Sequence, residues 1–543
     1  MSPAAESTQV AVVGAGPVGK TIALLLAAYG VSSQLIERGD GLSDEPKAIS
    51  VDDESLRIFQ QAGVVNEVLR IIVPGMGTQY FDAEGAPLFL AGSPRPGRFC
   101  YPFKNSFSQP ELEAVLHRAA AEHPLINYWL HTEVTGVTPH AEGALLQLAA
   151  TDGTGTQQTM EVPWVIGSDG GRSTVRAAAG IEMTGHSEED AWLVIDTVED
   201  PHRQRWGLHC GSPERPHVII PGREGRCRYE FPVTAQECAV GQTPSLSLIG
   251  TLLRPYRRIT AEQVERAVVY RFHALNAVRY RTGRLLLAGD AAHMMPPFAG
   301  QGLNSGMRDA FNLSWKLASH LAGPAKEELL NSYEAERQPQ AGEMIRFSRR
   351  LGRVVMTRHR RLAEARDRIV RDYLSEQDGR LHLETMGFRP SLTLSGGARM
   401  SGPEPLGTAV QQAQVFDLGT GEVVLSDEAL GPGWAVLGVN VAAADWEAVG
   451  GVADATAARR IHLDTAGFSP ELGATDAVLV DFDGSAAQRF RSLSGRFALI
   501  RPDRIIAGFW HPGDHGPVLQ EVRQWLTTIP SEGNPHDRVH HTP

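Results

Sequence analysis

Apolar and polar positions follow two rhythms along this chain. A short unbroken apolar run, Val10-Ala11-Val12-Val13, has the form of a fully buried strand. A glycine turn follows, then residues 21–28, rich in good helix formers and stopped by Gly30 as by a C-terminal cap. Residues 33–37 read as a second strand, so the chain opens with a βαβ unit and a parallel sheet is expected. Residues 110–122 read as a helix with Pro110 near its start, and Trp164–Gly167 as another buried strand ending in a Gly/Ser/Asp turn. From about Ala191 to Ala277 the rhythm shortens. Runs such as His217–Pro221 and Cys227–Val233 alternate between Pro/Gly turns, which predicts an inserted antiparallel sheet.

Residues 284–290 return to the buried-strand pattern, and helix is expected over 305–321 and 326–373, interrupted at Pro339. A stretch rich in Gly, Pro and Ser then reads as a linker. Beyond it, strands are expected at 434–439, 460–463, Ala477–Val480 and 497–500, in a separate α/β domain. The expected division is a nucleotide-binding domain over 1–190 and 278–387, the inserted sheet over 191–277, a linker over 388–406, a C-terminal domain over 407–529 and a frayed tail over 530–543.

Composition narrows the class. The 543 residues are 42% hydrophobic and 21% charged, which suits a large core and excludes a disordered chain. A net charge of -12 without a long Lys/Arg run argues against nucleic-acid and anionic-membrane partners. Cys100, Cys210, Cys227 and Cys238 form no CxxC pair, so neither a disulfide scaffold nor a metal site is expected. Nothing approaches a span of about 18 apolar residues, and residues 1–9 lack a basic leader, so a cytoplasmic protein is expected.

Gly14-Ala15-Gly16-Pro17-Val18-Gly19 stands between the first strand and its helix. Gly14 permits the tight turn, Gly16 a close approach of backbone to pyrophosphate, and Gly19 close packing of helix on strand. The helix N-terminus adds N–H groups and a positive dipole end. Glu37 ends the next strand, where an acid accepts hydrogen bonds from a ribose diol and repels a 2′-phosphate. This motif leaves FAD and a diffusing nicotinamide both open.

Two further motifs follow buried strands. Gly167-Ser168-Asp169-Gly170-Gly171-Arg172-Ser173-Thr174-Val175-Arg176 reads equally as an ordinary Asp-Gly turn with a Ser cap. Gly289-Asp290-Ala291-Ala292-His293 leads into Pro296-Pro297-Phe298-Ala299-Gly300-Gln301-Gly302-Leu303-Asn304, a glycine-dense loop before a helix. Such a loop leaves backbone N–H groups to face an anion or an electron-rich ring, and Asp290 could bind a polyol hydroxyl.

In order and spacing these three motifs resemble the group A flavoprotein aromatic hydroxylases, over about residues 9–385. Within that family the likeness is greatest to the branch that ortho-hydroxylates 3-(3-hydroxyphenyl)propionate-type phenols, through residues 46–56, 212–216, Arg228-Tyr229-Glu230-Phe231 and 301–317. The resemblance implies a Rossmann-like FAD-binding domain, an inserted antiparallel sheet covering the substrate and a C-terminal thioredoxin-like domain. It implies O₂ as co-substrate, NADH or NADPH as transient reductant, and a flavin C4a-hydroperoxide as the oxygen donor. Carried onto this chain, Gly14, Gly16, Pro17 and Gly19 approach the FAD pyrophosphate, and Glu37, with Arg38 beside it, the adenosine ribose. Lys47, where many relatives have Arg, and Gln109 belong near the flavin. Asp169 and Gly170 serve FAD and nicotinamide, Asp290 the ribityl chain or pyrophosphate, and Pro297, Gly302, Leu303 and Asn304 the isoalloxazine. The C-terminal domain, without a cysteine beyond Cys238, cannot be a dithiol oxidoreductase and is expected to be structural or dimer-facing.

The substrate side is less sharply drawn. His209, in the inserted sheet, is a candidate catalytic group for phenol activation, with a packed or surface histidine as the alternative. Tyr229, Phe231 and Phe298 are candidates for the ring pocket, with core packing as the alternative. Asp52 and Asp53 read as a paired-acid segment or as acids at a helix start. Arg172 and Arg176 could meet a 2′-phosphate or only support FAD. A polycyclic or otherwise substituted phenol is the alternative substrate, and a flavin-binding sensor the non-enzymatic one.

Overall fold

The computed structural model describes residues 8–42, 48–92, 97–202, 204, 206–323, 325–390, 392–467 and 475–526. The chain divides into two compact units. The first comprises residues 1–97, 101–310 and 337–391, the second 98–100, 311–336 and 392–543.

In the first unit a six-stranded sheet runs in the spatial order Arg281–Thr282, Leu285–Leu287, Trp164–Gly167, Val10–Val13, Ser33–Ile36, Ile126–Trp129. All its pairs are parallel except the edge hairpin of Arg281–Thr282 on Leu285–Leu287. The apolar runs are apolar because the sheet is covered by helices such as Pro17–Ala28 and by the strand Gly143–Ala150: every residue of Val10–Val13, Trp164–Gly167 and Leu285–Leu287 is buried. Val13 pairs with Gly167 and Gly167 with Leu287, so three neighbouring strands end level with one another. The helix Pro17–Ala28 follows the first of them.

The second sheet has eight strands, and it is larger than the sequence pattern implies. Met183–Thr197 and Val264–Ala277 form its longest antiparallel pair, and His217–Pro221 and Cys227–Val233 lie where alternation put them. Two strands from far upstream, Thr78–Phe81 and Pro87–Ala91, extend it through a parallel pairing with Gly207–Cys210. One face packs on the helix Leu246–Leu253. The other carries Trp192, Val218, Phe272 and Phe298.

A three-stranded sheet, Ser50–Asp52, Lys104–Phe107 and Ile72–Val73, completes the setting of the site. The helix Glu327–Val355 passes through Pro339 without the expected interruption. Asn276 Nδ2 donates to the Gln338 carbonyl beside the proline (3.1 Å).

In the second unit a seven-stranded sheet has the order Glu422–Leu425, Gln414–Asp417, Ala477–Val480, Arg459–Asp464, Ala435–Val439, Arg496–Ile500, Ile506–Trp510. The three strands Ala477–Val480, Arg459–Asp464 and Ala435–Val439 are mutually parallel, and the last two strands antiparallel. Its core is aliphatic, with Leu437, Ile461, Leu479 and Ile500 at its centre. Among the described residues no helix is long and apolar enough to cross a membrane.

Candidate active site

The three motifs leave the parallel sheet at the C-terminal ends of adjacent strands, where doubly wound folds bind ligands. Gly14 adopts φ +93° and abuts Ser168 and Asp169, so that a Cβ there would lie 2.7 Å from the Ser168 carbonyl oxygen. A Cβ on Gly19 would lie 2.0 Å from the Gly14 carbonyl oxygen. Gly16 differs: a Cβ there would meet nothing within 4 Å, and no side chain caps the helix that starts at Pro17. That is a cradle open toward a ligand, beside an uncapped helix N-terminus. Glu37 accepts from the N–H of Ala15 (2.8 Å) and of Gly39 (3.0 Å), which holds the acid beside the cradle. Arg38 and Asp290 are exposed.

Asp169 Oδ2 accepts from the N–H groups of Thr174 (2.7 Å) and Val175 (3.2 Å), while its Oδ1 is buried without a partner. Gly170 has φ +80°. Ser173 caps the helix Thr174–Ala178, so both readings of this motif have a physical basis. Arg176 donates to the carbonyls of Gly171 (2.7 Å) and Ala291 (2.9 Å), tying the second motif to the third. Under the third motif His293 Nε2 lies 2.6 Å from Asp309, which also accepts from the Gly289 N–H (3.0 Å) and from Arg337 (2.9 Å). His293 is thus a buried brace of this loop. Pro297–Ala299 is a 3-10 turn, and Gly302 opens the long helix that carries Leu303 and buried Asn304. Gln109 accepts from the Ala48 N–H (2.6 Å) and donates to Glu113 (3.3 Å). Lys47 lies outside the described residues.

A pocket opens beside this loop. Its apolar walls include Phe103, Phe298, Phe347, Leu351 and Met386, and its polar ones Asp52, Lys104, Gln301, Asn304 and Arg389. Asp52 caps the helix Asp53–Gln61 by accepting from the Ser55 N–H (3.0 Å). It also accepts from Arg308 (2.6 Å) and Arg389 (2.8 Å). Burial opposes ionisation of this carboxyl, and the two arginines outweigh burial, holding it well below the usual carboxylate range. Arg308 also pairs with Glu54. Gln301 Oε1 accepts from Arg389 (2.7 Å) and Arg308 (3.2 Å), and Asn304 Oδ1 from the Asp52 N–H (3.0 Å) and Ser55 Oγ (2.7 Å).

Of the candidates for the substrate side, Phe298 lines this pocket. Tyr229 and Phe231 do not: they lie in the core that faces Leu246–Leu253, with Tyr229 Oη donating to Asp200 (2.9 Å). Their alternation is real, but it turns them to the opposite face of the sheet from Trp192 and Phe298. His209 is buried edge-on to Tyr80, with ring centroids 5.0 Å apart, and is not among the pocket-lining residues. Burial and the nearby Lys104 depress its pKa to about 3, so it is neutral at physiological pH. Lys104, Arg308, Gln301 and Arg389 were not singled out as site residues by composition or period. Lys104 sits in the polar strand Lys104–Phe107, and Arg389 in what reads as linker.

Residues 7–348 match the family described as FAD binding domain, and residues 407–525 the family described as HcaD C-terminal domain. The chain belongs to the FAD-dependent aromatic hydroxylases. It is 34% identical over 520 residues to the 3-(3-hydroxy-phenyl)propionate/3-hydroxycinnamic acid hydroxylase of Mycolicibacterium smegmatis, covering 92% of this chain and 90% of that one. The hydroxylase of the same description from Klebsiella pneumoniae (strain 342) is 33% identical, with 97% and 96% covered. Among solved structures, the flavin-dependent monooxygenase PieE in complex with FAD and substrate aligns with a TM-score of 0.76 at 21% identity, over 95% of this chain and 98% of that one. Aklavinone-11 hydroxylase with FAD and aklavinone gives 0.73 at 22% identity, over 95% and 98%. These two likenesses are of fold. The open cradle at Gly16, the uncapped helix and the orphaned Asp169 Oδ1 are the features an FAD-binding chain needs, so this hydroxylase and its cofactor fit at the residue level.

Proposed function

We propose that this hydroxylase inserts one oxygen atom from O₂ ortho to the hydroxyl of 3-(3-hydroxyphenyl)propionate or a near analogue, with NADH as reductant. The observation that carries the reading is the full-length likeness to relatives named for that substrate. When bound, FAD supplies the oxygen-activating chemistry. Gly14, Gly16, Pro17 and Gly19 would hold its pyrophosphate, Glu37 and Arg38 its adenosine end, and Asp169, Gly170 and Asp290 its middle. Gln109, Pro297, Gly302, Leu303 and Asn304 would lie toward the ring. The walls formed by Phe103, Phe298 and Phe347 offer an apolar, water-poor surface for a phenyl ring. NADH is favoured because Arg176 is already committed to two carbonyls, which leaves only exposed Arg172 of that pair for a 2′-phosphate.

For the second unit we propose a thioredoxin-like fold with a structural or dimer-facing role. Supporting it, Ala435–Val439 and Arg459–Asp464 are parallel, Arg496–Ile500 and Ile506–Trp510 follow as an antiparallel hairpin, and the helix Gly516–Trp525 closes the unit.

The purified protein should be yellow and release FAD on denaturation. With 3-(3-hydroxyphenyl)propionate it should consume NADH and O₂ and yield the catechol. Absence of oxygenated product from this substrate, with product from a polycyclic phenol in the same panel, would transfer the assignment to the larger substrate. A reduction rate per concentration about tenfold higher with NADPH, roughly 1.4 kcal/mol of discrimination, would overturn the choice of NADH.

A further inference from the structure

Lys104 is the one cation lining the pocket that has no carboxylate partner among the described residues. Its Nζ donates to Thr78 Oγ1 (2.7 Å), which leaves two of the three ammonium N–H groups for other partners. The sheet register makes the absence informative. Asp52 lies directly opposite Lys104 in the antiparallel pair of Ser50–Asp52 with Lys104–Phe107, so the two side chains share a face. Yet Asp52 turns its carboxylate to Arg308 and Arg389, and those arginines hold it by three-way sharing with Glu54 and Gln301. His209, a further neighbour, is neutral. Burial alone pulls the Lys104 ammonium down to about 8, with no acid to support it. A second donor in the same wall, Arg389 Nε, is also buried without a partner, and the Arg389 guanidinium lies 5.2 Å from the centre of the Phe103 ring. A half-buried charge left unpaired is costly unless a ligand completes it.

We propose that Lys104 is the substrate-anion anchor of this pocket, and that it pairs with a carboxylate carried on a short side chain of the phenol. The inference rests on the proposed function and deepens it: the apolar walls take the ring and Lys104 takes the acid. Lysine suits the task as a compact point charge on a flexible stem, able to follow a side chain that itself rotates.

The test separates the two ends of the substrate. Binding to the FAD-loaded enzyme is measured by calorimetry and by perturbation of the flavin spectrum, with 3-phenylpropionate (acid, no hydroxyl) and 3-propylphenol (hydroxyl, no acid). Lys104→Met should weaken 3-phenylpropionate at least about tenfold more than 3-propylphenol, and Lys104→Arg should restore most of the difference. Equal weakening of both ligands, selective loss of 3-propylphenol, or no effect would each overturn the anchor. Lys104→Gln, which keeps a donor for Thr78, serves if the methionine variant loses flavin. Lys104-dependent binding without oxygenation of any phenol would defeat the proposed function and leave the anchor standing. Oxygenation with no Lys104-dependent preference for the acid would do the reverse.

Discussion

Glu336 and Asp52 each accept from two cations, in different units of the molecule, and their surroundings differ in one respect. Glu336 is held by both terminal nitrogens of Arg501 (2.8 and 2.9 Å), by Lys316 (2.7 Å), by Asn312 (2.7 Å) and by the Ala398 N–H (2.8 Å). Asp503 closes the other side of Arg501, and the side chains of Lys316, Glu336 and Arg501 are 0% exposed. Two cations meet two carboxylates and no charge is left over. Around Asp52 the same kinds of residue line a pocket, and Lys104 stands beside them without an acid. A balanced, sealed cluster specifies packing. A pocket cluster in which one cation contacts no acid specifies what the pocket accepts.

The comparison predicts unequal costs of breaking each cluster. Glu336→Ala strands two buried cations with no water to replace the carboxylate, and should cost about 3–5 kcal/mol in urea unfolding. Asp52→Ala removes a helix cap and one acceptor where water can enter, and should cost about 2 kcal/mol. Equal losses would show that the pocket cluster is as sealed as the other. The acid limb follows Glu336 as well. Burial opposes its ionisation, but Arg501 and Lys316 hold its carboxyl far below the ordinary value of 4.5. Its stabilisation is therefore present above that value and lost as pH falls below it, and Glu336→Gln should flatten this loss.

Ligand binding should report the Lys104 charge directly. With the free Lys104 ammonium titrating at about 8, affinity for 3-phenylpropionate should hold below that pH and fall about tenfold per unit above it. Its neighbours do not titrate in that window: Asp52 stays ionised, His209 neutral and Arg308 charged. A flat profile from pH 7 to 9.5 would mean that Lys104 does not carry the acid.

Much of the cofactor side was legible because it is local. Val10–Val13, the glycine turn and the helix after it are neighbours in sequence and in space, and Gly14 and Gly19 answer to contacts within that unit or its adjacent strands, while Gly16 leaves the cradle open. The substrate side is non-local. Alternation along Cys227–Val233 tells that Tyr229 and Phe231 share a face, but which face meets the pocket depends on strands as distant as Thr78–Phe81. Lys104 and Arg389 are brought together with Asp52 by the sheet register and by a segment without regular structure, and a polar strand or a linker carries no period to betray either. Pro339 misled for the opposite reason: a strong local rule did not decide the element, and the helix Glu327–Val355 runs on through the proline.

The smallest expected effect concerns His209, the histidine that sequence favoured for catalysis. Burial first, and Lys104 second, keep it neutral down to about pH 3, whereas in the unfolded chain it takes up a proton near 6.5. Its folded pKa is lowered, so the unfolded state binds more protons between those values and stability falls as pH drops below 6.5. Between pH 7 and 5.5 this should destabilise the wild type by about 1 kcal/mol relative to His209→Gln. Urea midpoints of the two proteins across that range measure it. If they move in parallel while His209→Gln instead removes an ionisation from the pH profile of kcat, the histidine reaches the substrate after all, and the neutral wall behind Lys104 is the wrong description of this side of the pocket.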